Sequence, residues 1–222
     1  MCIFTAMYSQ NLSDSLISVV KKKSLSELKT FFEQKKSVIH DRVLDRQVVD
    51  TYFEYSFGVR NVPGYKINLL CDGNKIIYAK VLSANKKKFE EQDSAAVKQF
   101  YKSYTAFFSA KVKISDFFVD TIVYGRGCGI VGTDPASRKK MAALVAAKNT
   151  KELTKWLQNA NTEKQLYGVE GFLDLEKKGY KLDALQKKLI DFITTKKGEA
   201  KTCNSSLFEN KKISSIFNVK GN

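Results

Sequence analysis

The sequence predicts an α+β protein in which N-terminal helices and a small antiparallel sheet, of three strands or more, precede an α-helical region. The first reason is that the spacing of apolar residues changes from the helical period of 3.6 in 12–36 to the strand period of two in 48–57. The second is that a helical period returns from Asp134 onward. At 222 residues, with 43% hydrophobic residues and only 2 Pro, the chain can bury the core that such a fold needs.

The first half of the chain contains the predicted sheet. The capping box Ser24-Leu-Ser-Glu27 begins the second of two short N-terminal helices. Residues 48–57 then alternate between apolar and polar side chains, as a half-buried strand does. The β-branched runs 65–71 and 74–82 flank Asp72-Gly73, whose tolerance of left-handed backbone predicts a two-residue hairpin turn. Together these patterns predict a three-stranded antiparallel meander.

The second half is predicted to be mainly helical. One long helix is expected over 89–110, whereas residues 112–124 fit either a helix or a strand. Asp134-Pro135 then supplies an N-cap and a first-turn proline for the first of four further helices. The sequence is thus divided into regions that we expect to form one compact unit: an α+β region (11–133), a helical region (134–197) and a basic C-terminal tail (198–222).

One helical segment resembles a known repeat. Residues 151–179 read KELTKWLQNANTEKQLYGVEGFLDLEKKG, a leucine-bearing helix, a polar turn and a second helix that contains small residues. The segment resembles a HEAT repeat, and the flanking helices extend the resemblance to 135–195. Gly168 and Gly171 stand where the family usually has alanines, which let the two helices approach closely, although the turn lacks the usual Asp and Pro. The resemblance implies a binding scaffold without a specified activity, with a hairpin core of Leu153, Trp156, Leu157, Leu166, Val169 and Leu173.

The N-terminus and the cysteines bear on the cellular compartment. Residues 1–10, MCIFTAMYSQ, are uncharged and resemble the remnant of a secretory signal peptide, although an apolar segment that packs on the fold has the same composition. No CxxC pair is present and His40 is the only histidine, so no structural zinc site is predicted. In an oxidising compartment Cys128 and Cys203, which are flanked by Gly or Ser, are the disulfide candidates. In a reducing cytosol they would be free thiols.

A glycine-rich turn carries the sharpest chemical motif. Residues 125–132, GRGCGIVG, contain a literal G-x-G-x-x-G, but Pro135 places the next helix start after the last glycine and no strand is predicted beyond it, which argues against a dinucleotide site. Two interpretations remain: glycines required for a tight crossover around a bonded Cys128, or a turn that binds an anion or a partner. The second interpretation uses Gly125, Arg126, Gly127, Gly129 and Arg138.

The net charge of +15 is carried mainly by lysine, since only five of the 38 basic residues are Arg. The lysines are scattered over both halves, which favours a solvated coat, or weak attraction to anionic surfaces, over a base-reading groove. No catalytic residues, metal site, cofactor or transmembrane segment are predicted. We therefore expect a non-enzymatic binding or scaffold protein of the bacterial envelope or periplasm, with a protein or an anionic envelope component as partner. The alternative is a cytoplasmic nucleic-acid-associated HEAT-like protein that binds phosphates through lysines.

Overall fold

The computed structural model describes residues 14–34, 39–60, 64–84, 86–119 and 121–217. The leader predicted in residues 1–10 lies outside these ranges. The chain divides into two compact units, Met1–Ser103 and Tyr104–Asn222, and the division falls within one helix. The predicted α+β class is confirmed, since an antiparallel five-stranded sheet accompanies the helices.

The first unit is a meander covered by two helices. Its five strands pair antiparallel with their sequence neighbours, in the order β1-β2-β3-β4-β5. The elements are α1 (residues 14–21), α2 (Leu25–Gln34), β1 (Ile39–Val49), β2 (Tyr52–Arg60), β3 (Tyr65–Asp72), β4 (Lys75–Ser83) and β5 (Lys86–Gln92), followed by α3 (Ser94–Phe108), which crosses into the second unit. The apolar faces of α1 and α2 share one buried cluster with the sheet, which includes Leu16, Leu28, Phe57, Ile67 and Val81.

Two strand boundaries differ from the prediction. The alternating segment 48–57 does not form a single strand. A turn at Asp50, which has a φ of 47°, separates β1 from β2. The helix predicted from Phe89 begins only at Ser94, because Phe89 pairs with Val81 and belongs to β5. The hairpin between β3 and β4 is confirmed, although its two loop residues are Gly73 and Asn74, one position later than expected.

The second unit combines helices with a small mixed sheet. Strand β6 runs parallel to β7, and β7 is antiparallel to β8. The undecided segment 112–124 contains a 3-10 helix and leads into β6. The elements are the 3-10 helix (Ile114–Phe118), β6 (Tyr124–Arg126), α4 (Ala136–Ala146), α5 (Thr150–Leu157), α6 (Thr162–Glu176), α7 (Ala184–Thr195), β7 (Glu199–Asn204), β8 (Leu207–Lys212) and α8 (Ile213–Ile216).

The expectation of a helical region followed by a tail is therefore wrong for residues 199–212, which form β7 and β8. The buried residues of β7 are the small Ala200, Thr202 and Cys203, so the hydrophobic alternation that identifies a strand is weak there. Strand β7 pairs in parallel with β6, the strand at the start of the glycine motif. The sequence did not predict this strand.

Helix α6 is the centre of the second unit and contacts α4, α5, α7, β6 and β7. The predicted close approach of α5 and α6 is confirmed, because a Cβ on Gly168 would lie 3.0 Å from the Leu157 backbone nitrogen, and one on Gly171 would lie 2.8 Å from Leu153 Cδ2. The predicted core residues are buried except Leu173, which is half-buried while Leu175 is buried. Leu173 was mistaken for a core residue because a helix that is covered on several sides has no single apolar stripe. The assignment of this helical hairpin to a HEAT-like repeat stays a prediction.

Candidate binding site

Strand β6 is held on α6 by a tyrosine. The Tyr167 hydroxyl donates to the Val123 carbonyl oxygen (2.9 Å) and accepts from the Gly125 amide (3.1 Å). Burial raises the pKa of Tyr167 to about 12, so the hydroxyl keeps its proton at neutral pH. A Cβ on Gly125 would overlap the Cys203 carbonyl oxygen on β7, so only glycine permits this approach of the two strands.

A disulfide joins Cys128 and Cys203, whose Cα atoms are 5.5 Å apart, as predicted. The disulfide ties the loop after β6 to the C-terminal end of strand β7. Cys71, in the other unit, is free and buried, and burial raises the pKa of its thiol to about 12. The bonded pair indicates an oxidising environment.

The glycine loop 127–134 is a closed turn, and four of its amides donate hydrogen bonds within the protein. The Cys128 amide donates to the Thr133 carbonyl (2.8 Å), and the Gly132 amide donates to the Gly129 carbonyl (3.0 Å). The Gly127 amide donates to Asp134 Oδ1 (3.0 Å), and the Gly129 amide donates to the Ser205 carbonyl (2.8 Å).

These contacts leave the loop poorly suited to hold an anion through its backbone. One interpretation of the sequence assigned an anion to the amides of Gly125, Gly127 and Gly129. All three amides already donate hydrogen bonds within the protein. Gly129 has a φ of 79°, which glycine adopts most readily, so the geometry favours a tight crossover around the disulfide. Although β7 follows β6 in parallel, α4 begins after the glycine motif, and the arrangement does not support a dinucleotide site.

The two arginines of the predicted site converge on one carboxylate. Arg138 binds Glu170 through two hydrogen bonds (2.6 and 2.9 Å), Arg126 adds a third (2.8 Å), and the Tyr124 hydroxyl donates a fourth (3.2 Å). Burial opposes ionisation of Glu170, but the hydrogen bonds and charges of both arginines outweigh it and hold its pKa below the ordinary value.

The cluster has a structural consequence. Arg138 is 11% exposed and is engaged by Glu170, so it has little capacity for an external anion. Arg126 is largely exposed and keeps guanidinium donors in solvent. Glu170 was not singled out from the sequence, because its partners are 32 and 44 residues distant along the chain.

The most unusual surface of this unit is apolar. Ile130 and Val131, at the centre of the glycine loop, are 98% and 86% exposed, and Leu207 and Phe208, after the β7–β8 turn, are 58% and 59% exposed. The disulfide and the Gly129–Ser205 hydrogen bond hold the two loops together. We call these four residues the apolar tip. In the described ranges, Val119, at 41%, is the only other large hydrophobic residue with such exposure.

The sequence contained a weak signal for the apolar tip. Residues 127–133 and 203–208 hold no charged residue, although 27% of the chain is charged. Charge-free, glycine- and serine-rich segments indicate turns, but they do not reveal that two turns 75 residues apart meet.

Neither a metal site nor a membrane-spanning helix is found in the part of the chain that the structure describes. There, no group of three or more His, Cys, Asp or Glu side chains could hold a metal ion. Across the same ranges, every helix falls short of the length or apolarity needed to span a bilayer. In the comparisons with known proteins, no protein family, curated protein or solved structure matches the chain.

Proposed function

We propose that this chain is a non-enzymatic binding or scaffold protein of the bacterial envelope or periplasm, and that the apolar tip is its binding element. The observation that carries the proposal is the exposure of four large apolar side chains on two segments, the glycine loop and the start of β8, whose adjoining residues are joined by a disulfide and a hydrogen bond. Exposed apolar surface of this kind costs solubility and is typical of sites that bind a partner.

The construction around the apolar tip supports a binding role. The disulfide, the Gly129–Ser205 hydrogen bond and the turn hydrogen bond from Gly132 to Gly129 fix the loops before any partner arrives. A preorganised surface loses less conformational entropy on binding than a flexible one. Behind it, Tyr167 and Glu170 fasten β6 to the buried helix α6. The HEAT-like helices would then be the scaffold that presents the loops.

The disulfide supports the proposed compartment. Glutathione and thioredoxin keep most cytosolic thiols reduced, whereas disulfides persist in the periplasm and outside the cell. The Cys128–Cys203 bond closes the base of the apolar tip, so the binding element itself depends on an oxidising environment. This supports an extracytoplasmic location over the cytoplasmic alternative.

The nucleic-acid alternative has less support. It requires lysines that together line a phosphate-binding surface, but the lysines are scattered over both halves of the chain. Arg138, which could have joined them, is little exposed and is bound to Glu170. Phosphate binding also weakens steeply as salt rises. Undetectable binding of duplex DNA at low salt would dismiss this alternative, whereas tight and salt-sensitive binding would favour it over our proposal.

Photo-crosslinking in the native host tests the proposed function. A photoreactive amino acid at position 131 should give adducts in the envelope fraction, and the same amino acid at the exposed Val119 should give few. Cys128→Ser should reduce the adducts at 131, because it releases the loop. Equal labelling at 131 and 119, or a fully reduced protein confined to the cytosol, would contradict the proposal.

A further inference from the structure

We infer that the apolar tip inserts into the interface of an anionic lipid bilayer. This inference rests on the proposed function and names the partner of the same site. Two features together point to lipid: the apolar side chains lie in two charge-free segments, and basic residues lie behind them at a distance suited to lipid phosphates.

The first feature is the separation of apolar and charged residues. Residues 127–133 and 203–208 are uncharged, so the exposed Ile130, Val131, Leu207 and Phe208 can enter an apolar layer without carrying a charge with them. Insertion of apolar side chains to a depth of roughly 5–10 Å is the way in which proteins that lie on a bilayer bind it.

The second feature is the position of the lysines. Lys211 and Lys212 are exposed and follow Phe208 by three and four residues on β8. At ~3.3 Å per residue in a strand, they lie about 10–13 Å behind Phe208, which suits contact with headgroup phosphates when the apolar tip reaches the acyl chains. Arg126, largely exposed, lies beside the glycine loop.

Acidic groups in the same region offset only part of its positive charge. Residues 126–134 and 201–212 carry four basic and two acidic residues: Arg126, Lys201, Lys211 and Lys212 against Asp134 and Glu209. Asp134 accepts from the Gly127 amide, and Glu209 pairs with Lys211. The local surplus is positive, as is the whole chain at +15, and it complements an anionic membrane surface.

The composition of the apolar tip favours lipid over a protein pocket. Residues that dominate protein–protein binding are enriched in Trp, Tyr and Arg, while Leu and Val are under-represented. The tip consists of Ile, Val, Leu and Phe. In addition, the amides of Cys128, Gly129 and Gly132 are bonded internally, which lowers the cost of moving this backbone out of water.

Vesicle flotation of the full-length oxidised protein tests the inference. We expect binding to vesicles of equal parts phosphatidylcholine and phosphatidylglycerol, and weaker binding to phosphatidylcholine alone. The double substitution Ile130→Ser and Val131→Ser should lower the partition coefficient at least about tenfold. Lys211→Ala and Lys212→Ala should each lower it about fivefold on anionic vesicles only. Val119→Ser is the matched control, because it removes an exposed apolar side chain elsewhere and should change nothing.

Quenching of tryptophan fluorescence measures independently how deeply the apolar tip inserts. In V131W the new indole should be quenched by lipids brominated on their acyl chains, while Trp156 is buried and V119W should remain unquenched. Partitioning of the double variant equal to wild type, or no quenching of V131W, would overturn the inference. Protein adducts at position 131 in the host without vesicle binding would reject lipid but keep the proposed function. A dimer that the double variant abolishes, without vesicle binding, would assign the apolar tip to a second copy of the chain.

Discussion

Substitution of Glu170 by Gln tests the contact network that holds β6 on α6. The change preserves size and removes the charge that balances Arg138 and Arg126. Arg138 and Glu170 are 11% and 9% exposed and are joined by two hydrogen bonds of 2.6 and 2.9 Å. Loss of one partner from a buried ion pair costs about 3–5 kcal/mol. Since Gln keeps one oxygen as an acceptor, we expect a loss of about 3 kcal/mol in the free energy of unfolding, at the lower end of that range.

Urea unfolding followed by Trp156 fluorescence measures this loss. Trp156 is the only tryptophan of the chain and is buried in the same unit, so its emission reports on the unfolding of that unit. Asp174→Asn, on the same helix, is the matched control. Its pair with Lys177 is exposed at the surface, and its loss should cost less than about 1 kcal/mol.

The difference between wild type and Glu170→Gln should depend on pH. Because the folded protein holds the pKa of Glu170 below its ordinary value, the stabilisation is complete above the unfolded pKa of about 4.3 and is lost as pH falls through the lower folded pKa. The two proteins should therefore converge in acid. A difference below about 1 kcal/mol at pH 7, or one that persists in acid, would refute the role assigned to this network.

Three further outcomes are expected. Gly168→Ala should lower the stability of the second unit by about 1 kcal/mol in the same urea assay, although alanine normally favours helices, because its Cβ would press on the Leu157 backbone; a gain in stability would contradict this. Reduction of the Cys128–Cys203 bond, which spans 75 residues, should cost about 4 kcal/mol, and a reduced protein as stable as the oxidised one would exclude that contribution. Cys71 should resist a thiol reagent until the protein unfolds, since it is buried with a raised pKa; rapid modification of the native protein, measured by intact mass, would be inconsistent with that burial.

Predictions from local patterns were largely accurate. The hairpin at Gly73 was predicted because a left-handed backbone is a property of the residue itself, and the capping box at Ser24 marks the start of α2. The resemblance to a HEAT repeat implied a packing role for Gly168, and the close approach is confirmed because a Cβ there would press on the Leu157 backbone. The disulfide was found by elimination among four cysteines.

Predictions that depended on distant partners were less successful. Phe89 has helical spacing to the residues after it, but pairing with Val81 makes it part of a strand. Strand β7 has little apolar alternation and is identified by its position between β6 and β8. One interpretation of the sequence assigned Arg126 and Arg138 to an anion or a partner, because their common partner Glu170 cannot be recognised without the fold.

The sequence by itself determined the α+β class, the β3–β4 turn and the pair of cysteines that could bond. Each of these depends on the conformational or chemical character of a few neighbouring residues. Only the tertiary structure decided that Ile130 and Leu207 lie on adjacent loops and remain exposed together. Exposure is a property of what the rest of the chain leaves uncovered, so apolar residues that resemble core in the sequence form the surface on which the proposed function depends.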